Sequence, residues 1–297
     1  MSIFDRRLLA EFVNRETEMA RFGRMLGDPE AHVFVVWGPG GVGKSSLKTK
    51  MWHEVATQGL LKSEVEWTDI RNHDMLAITR KIRDDIGPLS FGTFTALLNS
   101  FTQSRAELKL TIEGQPTIAV AQGASFLDTR AGDIAGIMVK DLMLPGLSPE
   151  MQTSESERRI RLTDAFIEGA AAALADQTAV IFFDATEKMT AETEKWVWGE
   201  ILPAACEGRM GNAKFVLCGR GKPEVDRMLA AAIEVRELQP LSRDYIHAYL
   251  QLRGVEERDC APLAKLLLVM TKGNPHHLAN AVDSYLMTDA DGTDRAS

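Results

Sequence analysis

The 297-residue sequence lacks the features of secreted, zinc-stapled and membrane-spanning proteins. Its three cysteines, Cys206, Cys218 and Cys260, show no CxxC spacing, which argues against a disulfide or zinc framework. No stretch approaches the ~20 apolar residues that cross a bilayer, and no basic region followed by an apolar core opens the chain. We therefore predict a cytoplasmic protein without membrane contact.

The sequence also lacks a basic charge excess, an internal repeat and a recognisable Ser-His-Asp or metal-ligand cluster. Its net charge of −8 argues against a surface built throughout for nucleic acid and leaves local nucleic-acid binding open. The hydrophobic share of 45% and the charged share of 26% are those of an ordinary globular protein. Composition and charge therefore do not indicate a function, and short sequence motifs carry the functional information.

Apolar runs alternate with helical patterns along the chain, which predicts a mainly parallel α/β sheet. Five strands are predicted, at residues 32–37, 64–70, 179–184, 214–219 and 232–238. After Pro240 the pattern becomes helical, with turns at Gly254 and Gly273. We predict an N-terminal segment (1–31), an α/β core (32–240), a small helical lid (241–287) and a disordered polar tail (288–297).

A long segment separates the second and third predicted strands. Between about Ala106 and Leu147 the sequence alternates and is broken by Gly-Gln-Pro, which predicts a β-hairpin inside a β-rich insertion at about 104–150. Long insertions are often functional. Two interpretations stay open: a plain surface hairpin, or a partner-binding or autoinhibitory element.

The strongest motif is GPGGVGKS, which runs from Gly38 to Ser45 between a predicted strand and a predicted helix. Glycines let backbone N–H groups turn inward around phosphates, where the helix N-terminus adds positive potential. In this P-loop, or Walker A motif, we expect Lys44 to reach the β- and γ-phosphates and Ser45 to ligate Mg²⁺. The expected nucleotide-binding residues are Pro39, Gly40, Gly41, Val42, Gly43, Lys44, Ser45 and Ser46.

A second Mg²⁺ anchor is expected at the end of a neighbouring strand, as in a Walker B motif, and Asp184 closes the apolar run AVIFFD. The next residue is Ala185 instead of a second acid, so Glu187 is the candidate base, with a cap or an ion pair to Lys188 as its alternative. Arg220, after the fourth strand, is the candidate γ-phosphate sensor, in competition with Lys222. Lys44, Asp184, Glu187 and Arg220 form the predicted catalytic set.

Four motifs together resemble the STAND class of P-loop ATPases, which includes the NACHT and NB-ARC families and is related to origin-recognition-like AAA+ proteins. FVNRETEMARF, from Phe12, is similar to the FVGRExE box that precedes their P-loop. FFDATEK resembles their D-x-x-E strand ending, LQPLS their lid-leading segment, and KGNP their G-x-P motif. The motifs occur in the family order and span nearly the whole chain.

This resemblance implies a three-layer sandwich with sheet order 5-1-4-3-2, and ATP or ADP held between the sheet and the lid. It carries the adenine-side backbone contacts over to Val13, Asn14 and Arg15, and an adenine or ribose contact over to Pro275. The alternative interpretation of GNP is a helix N-terminus with an asparagine cap and a first-turn proline. Asn14, where the family has glycine, and Ala185 are departures from the pattern.

The resemblance implies an ATP/ADP switch that hydrolyses ATP slowly and acts on a protein effector or sensor through its lid, as in bacterial signalling or defence. Self-association on ATP binding is a further expectation. Two alternatives remain: a ring-forming AAA+-like ATPase that remodels protein or DNA, and a nucleotide-holding module without hydrolysis. The chain ends after the lid, so we expect either an excised NTPase module or a minimal ATPase with separate partners.

Overall fold

The computed structural model describes residues 13–101 and 155–293. Its centre is a five-stranded parallel sheet of order β2-β3-β4-β1-β5. The strands are β1 (Val33–Trp37), β2 (Leu61–Glu66), β3 (Ala179–Asp184), β4 (Ala213–Gly219) and β5 (Ile233–Glu237). The predicted α/β fold and the order 5-1-4-3-2 are therefore confirmed.

Helices connect the strands and follow them. Those before the lid are α1 (Glu16–Gly27), α2 (Lys44–Thr57), α3 (Met75–Ile86), α4 (residues 92–101), α5 (Glu155–Ala173), α6 (Ala191–Trp196) and α7 (Leu202–Cys206). A π-helical turn, Val197–Ile201, joins α6 to α7. No helix within the described ranges is long and apolar enough to cross a bilayer.

The second strand was placed too late in the sequence prediction, at 64–70 instead of Leu61–Glu66. The prediction was drawn towards the later residues because Trp67 and Ile70 are apolar and continue the pattern of a strand. In the structure Trp67 lies in a turn, and Asp69 accepts a hydrogen bond from the Arg71 N–H to begin a 3₁₀ turn at Ile70. The strand itself is the polar string LKSEVE, because β2 is an edge strand with one partner.

The chain divides into two compact units, one made of Met1–Pro88 with Ala170–Ser297 and the other of Leu89–Gly169. In the first unit, α1 and α2 pack on the sheet through a buried cluster that includes Phe22, Phe34, Leu47, Met51 and Phe182. In the second unit, Phe91, Phe94 and Phe166 form an aromatic cluster with ring centroids 5.6–6.4 Å apart.

Three helices form the lid: α8 (Arg243–Leu252), α9 (Glu257–Thr271) and α10 (Pro275–Thr293). Ile246, Leu250, Leu267, Leu278 and Val282 are among the buried residues that hold these helices together. Positive φ angles at Gly254 and Gly273 (81° and 71°) allow the chain to turn between them.

Two predicted segments, the C-terminal tail and the insertion, lie at or beyond the limits of the described residues. Helix α10 continues to Thr293, through the start of the segment 288–297 for which the sequence predicts a disordered tail, because no proline or glycine interrupts it before Gly292. The predicted hairpin and most of the insertion at about 104–150 lie outside the described residues.

Candidate functional site

The P-loop joins β1 to α2 and turns through left-handed glycines. Gly41 and Gly43 have φ angles of 77° and 100°, which only glycine adopts without strain. Among the described residues, none accepts a hydrogen bond from the backbone N–H of Gly40, Gly41, Gly43 or Lys44. Backbone N–H groups without protein partners at a helix N-terminus are the usual receptor for phosphate oxygens.

Lys44 begins α2, and its ammonium folds back onto the loop. Its Nζ donates to the carbonyl oxygens of Gly38 (2.8 Å) and Pro39 (3.0 Å). Burial lowers the pKa of Lys44, and Glu187 and Asp184 partly offset this by their charge. The ammonium is therefore held at the loop by weak neutral acceptors, which a phosphate can replace with a stronger charged one.

The first turn of α10 is bonded to the other side of the P-loop. Asn274 donates from Nδ2 to the Gly40 carbonyl (3.0 Å), and the His276 N–H donates to the Gly41 carbonyl (3.2 Å). Asn274 Oδ1 also accepts from the N–H groups of His276 and His277, so it caps α10. The alternative interpretation of GNP as a helix N-terminus is thus observed, and it places Pro275 beside Gly43.

Arg15 ties the N-terminal box to both the P-loop and the lid connection. Its guanidinium is buried and donates to the carbonyls of Val42 (2.9 Å) and Gln239 (2.8 Å). Burial lowers the pKa of Arg15, while Glu18 and Glu16 raise it. The adenine-side role predicted for its backbone stays a prediction, and the structure adds a positioning role for its side chain.

The neighbours of Arg15 explain the unusual box. Asn14 has a φ of 63° and accepts a hydrogen bond from the Arg15 N–H at 2.7 Å, so asparagine reproduces the left-handed turn that glycine would make. Val13 packs against the buried cluster of the lid. The box thus fixes the lid connection as well as lying beside the P-loop.

Asp184 ends β3, where its carboxylate meets two protein donors. Oδ1 accepts from the Ala185 N–H at 2.8 Å, and Oδ2 pairs with Lys48 Nζ at 2.5 Å. Lys48 also forms a short ion pair with Glu64 on β2. Burial alone would lower the pKa of Lys48, but its pairs with Asp184 and Glu64 raise it overall.

Glu187 and Arg220 are paired with each other at the end of the sheet. Arg220 Nε lies 3.0 Å from Glu187 Oε1, and the Arg220 N–H donates to Glu187 Oε2. The Arg220 guanidinium also approaches Gly40, since a Cβ built there would lie 3.8 Å from Cζ. The candidate base and the candidate phosphate sensor therefore share one contact beside the P-loop.

Close packing fixes the position of Glu187. A Cβ at Gly219 would lie 2.0 Å from Thr186 Oγ1, so the turn that carries Glu187 rests directly on the end of β4. Ala185 adopts a left-handed φ of 57°, which turns the chain abruptly after Asp184. This turn brings the candidate base, Glu187, back to the end of the sheet although it follows Asp184 by three residues.

Two predicted metal ligands suit Mg²⁺ by their chemistry. The Ser45 hydroxyl and the Asp184 carboxylate are oxygen donors of the kind that Mg²⁺ prefers, and Ser45 lies exposed in the first turn of α2. The residues fit the ion, with one complication: the ammonium of Lys48 already contacts Asp184.

Sequence reasoning missed Lys48, Glu64 and Asn274 as parts of the site. Lys48 could have been found from its spacing, because it lies one helical turn after Lys44 on the same face. Asn274 was seen only as a cap, since nothing in the sequence shows which loop a lid helix contacts. Lys222, the competing candidate sensor, makes no hydrogen bond or ion pair with the P-loop among the described residues.

Two other features of the described residues contain polar side chains: a cleft beside β2, which shares Glu64 with the site, and a cluster in the lid. A cleft of about 440 Å³, lined by Trp52, Lys62, Glu64 and Asp85 among others, opens beside β2. In the lid, ligand atoms of His247, Glu257 and Cys260 lie within 4.8 Å of one another, a cluster the sequence did not reveal. Burial raises the pKa of the Cys260 thiol, which donates to the Val255 carbonyl, so its sulfur is not prepared for a metal.

Comparison with known proteins gives a likeness of fold. No family model and no curated protein matches the chain. Cdc6p from Pyrobaculum aerophilum is similar in structure, with a TM-score of 0.52 and 12% identity over 95% of this chain. This chain covers 64% of the Cdc6p chain, so it spans less than two thirds of that protein.

Two further solved structures are more distant. Domain III of the Thermotoga maritima replication initiation protein DnaA has a TM-score of 0.45 and 13% identity, with 95% of this chain and 88% of that chain covered. Drosophila ORC bound to DNA has a TM-score of 0.47 and 13% identity, with 94% and 61% covered. The likeness to Cdc6p concerns the fold alone, an α/β fold with a five-stranded parallel sheet and flanking helices.

Proposed function

We propose that this chain is a STAND-type ATP/ADP switch that hydrolyses ATP slowly and controls a protein partner through its lid. The observation that carries the proposal is the direct bonding of the lid to the P-loop: Asn274 to the Gly40 carbonyl and His276 to the Gly41 carbonyl. A change in the loop at the nucleotide phosphates reaches the first turn of α10 through these two hydrogen bonds.

Phosphate binding is assigned to the loop backbone and Lys44. The N–H groups of the loop receive the phosphate oxygens, and Lys44 exchanges the carbonyls of Gly38 and Pro39 for the β- and γ-phosphates. Mg²⁺ held by Ser45 and Asp184 would neutralise phosphate charge. Ser46 would contact the α-phosphate, the N-terminal box would contact the adenine, and Pro275 would contact the adenine or the ribose.

Slow turnover follows from the pairing of Glu187 with Arg220. As a general base, Glu187 must accept a proton from water, but its carboxylate oxygens already contact the guanidinium and the N–H of Arg220. If Arg220 turns to the γ-phosphate, it releases Glu187 in the same movement. Hydrolysis therefore depends on one rearrangement of two residues.

Bound nucleotide is tested first. We expect the purified chain to carry ADP or to bind labelled ADP and ATP, and to hydrolyse ATP at far less than one per second. Lys44→Ala should abolish nucleotide binding with an unchanged circular dichroism spectrum, and Glu187→Gln should retain binding while losing turnover. A wild-type protein that binds no adenine nucleotide refutes the proposal.

Lid movement is tested by distance measurement. Spin labels at Val269→Cys on α9 and Met228→Cys in the loop before β5, both exposed positions, are introduced in a Cys206→Ser background. We expect different label separations with ADP and with a non-hydrolysable ATP analogue, and a smaller difference in Asn274→Ala. Identical separations in both nucleotide states argue against a switch.

A ring-forming AAA+ ATPase is the second candidate, because the fold likeness to Cdc6p supports it equally well. It predicts assembly on ATP binding and steady hydrolysis that rises with protein concentration. Light scattering and turnover measured over a range of concentrations separate the two: a monomer with slow turnover favours the switch, and an active ring favours the second candidate.

A further inference from the structure

We propose that Lys48 is a built-in competitor of Mg²⁺ for Asp184, and that the site consequently binds nucleotide with little dependence on Mg²⁺. The proposal rests on the proposed nucleotide-binding function. It gives Lys48 a role that none of the four sequence motifs contains.

The position of Lys48 places its ammonium at the Walker B strand. It lies four residues after Lys44 on α2, so both side chains project from the same face of the helix. Its Nζ contacts Asp184 Oδ2 at 2.5 Å and makes a second, shorter contact with Glu64 Oε1. The side chains of Lys48 and Asp184 are only 14% and 13% exposed, so solvent screens this pair weakly.

The second oxygen of Asp184 also holds a protein donor. Oδ1 accepts from the N–H of Ala185, the residue that makes the left-handed turn after β3. Both carboxylate oxygens therefore hold protein donors. A divalent cation at Asp184 either coordinates Oδ1 beside the Ala185 N–H, or shares Oδ2 with the ammonium, or displaces the ammonium from Oδ2. Because Lys48 is held by the same carboxylate, both arrangements that leave the ammonium in place cost repulsion between two cations.

Glu64 makes displacement reversible. When a cation takes Asp184, Lys48 retains its ion pair with Glu64 and stays close by. The ammonium of Lys48 and a metal ion thus compete for Asp184, while Glu64 holds the ammonium in either case. With no metal present, the ammonium remains on Asp184, at the strand end where the metal would bind.

The measurement compares nucleotide affinity with and without the metal. A fluorescent ADP analogue is titrated into wild type, Lys48→Met and Lys48→Gln in EDTA and over a range of Mg²⁺ concentrations. We expect wild-type affinity to change less than about 5-fold between the extremes, and that of both variants to change more than about 10-fold, a difference within the usual range of coupling between two ligands. Lys62→Met is the matched control, since its ammonium lies over the Trp52 ring, 4.3 Å from the centroid.

Two outcomes overturn the inference: strong Mg²⁺ dependence in wild type, or equal dependence in wild type and both Lys48 variants. A purely structural role for Lys48 would lower stability and leave the Mg²⁺ dependence unchanged.

A second readout needs no nucleotide. Because Lys48→Met and Lys48→Gln leave Glu64 and Asp184 without their shared cation, Mg²⁺ alone should raise the melting temperature of these variants more than that of wild type. Equal shifts overturn the inference. If nucleotide fails to bind to wild type in every condition while the Mg²⁺ shifts differ as expected, the proposed function fails and the competition at Asp184 stands.

Discussion

Removal of the Asn274 side chain tests the coupling of lid and P-loop most directly. Asn274 makes two kinds of contact: Oδ1 caps α10 by accepting from His276 and His277, and Nδ2 donates to the Gly40 carbonyl. Asn274→Ala loses both kinds. Asn274→Asp retains an acceptor for the cap and loses the donor to Gly40.

The size of each effect follows from the general cost of losing each kind of contact. Loss of an N-cap costs about 1 kcal/mol of unfolding free energy. Loss of a hydrogen bond between neutral groups costs about 1 kcal/mol more. We therefore expect a destabilisation of about 2 kcal/mol for Asn274→Ala and about 1 kcal/mol for Asn274→Asp, or decreases in Tm of about 4 °C and about 2 °C in a chain of this length.

Thermal melting by circular dichroism and titration with labelled ADP provide the assay. Asn280→Ala is the matched control, because this exposed residue of the same helix makes only a long contact of 3.5 Å with His276. We expect its Tm to change by less than about 1 °C. Both Asn274 variants should also change nucleotide affinity. Unchanged nucleotide affinity in both Asn274 variants would refute the coupling, even if the Tm decreases as expected.

Three further predictions concern positions around the site. Arg15→Ala removes the donor to the carbonyls of Val42 and Gln239 and should lower the free energy of unfolding in urea by about 1–3 kcal/mol. Arg24→Ala, on the exposed side of α1, is the control and should lower it by less than about 0.5 kcal/mol. Equal losses in the two variants would contradict the positioning role of Arg15. Gly219→Ala forces a Cβ against Thr186 and should lower the free energy of unfolding by about 1–3 kcal/mol. The double variant Thr186→Ala/Gly219→Ala should recover most of this loss. A double variant that stays as unstable as Gly219→Ala would show that the strain does not come from Thr186. Burial lowers the pKa of His32, so the folded protein binds fewer protons than the unfolded chain at mildly acidic pH. The free energy of unfolding should therefore decrease as the pH falls below the pKa of histidine in the unfolded chain, about 6.5. Urea unfolding from pH 7 to pH 5 measures this, and the same pH dependence in wild type and His32→Gln would exclude it.

Strong local signals made the sheet and the P-loop predictable. Strands β1, β3 and β4 are apolar except for Lys214 and the final Asp184, as expected for strands buried on both faces. The P-loop has every fixed residue of its motif. The edge strand β2 was misplaced because its string LKSEVE is polar and the apolar Trp67 follows it. The strand order came from the family resemblance and not from periodicity.

The sequence predicted where the candidate site residues stand in the fold, and it did not predict which residues they contact. Asp184, Glu187 and Arg220 stand at strand ends that face the P-loop, which the sequence pattern indicates. That Glu187 pairs with Arg220, and Asp184 with Lys48, depends on side-chain packing between distant segments, which no spacing rule contains. The nucleotide roles of these residues remain predictions.

The parallel order of the sheet delays folding during synthesis. Strand β1 lies inside the sheet, between β4 and β5, both of which follow far later in the chain. At ~5–20 residues per second, the apolar β1 would wait roughly 9–35 s on the ribosome before its first partner is made. Arg15 waits longer still, since its acceptor at Gln239 is 224 residues away. The P-loop can thus take its final form only after Gln239 has been made, and until β4 is made VFVVW is an apolar strand without its partners that a chaperone could bind.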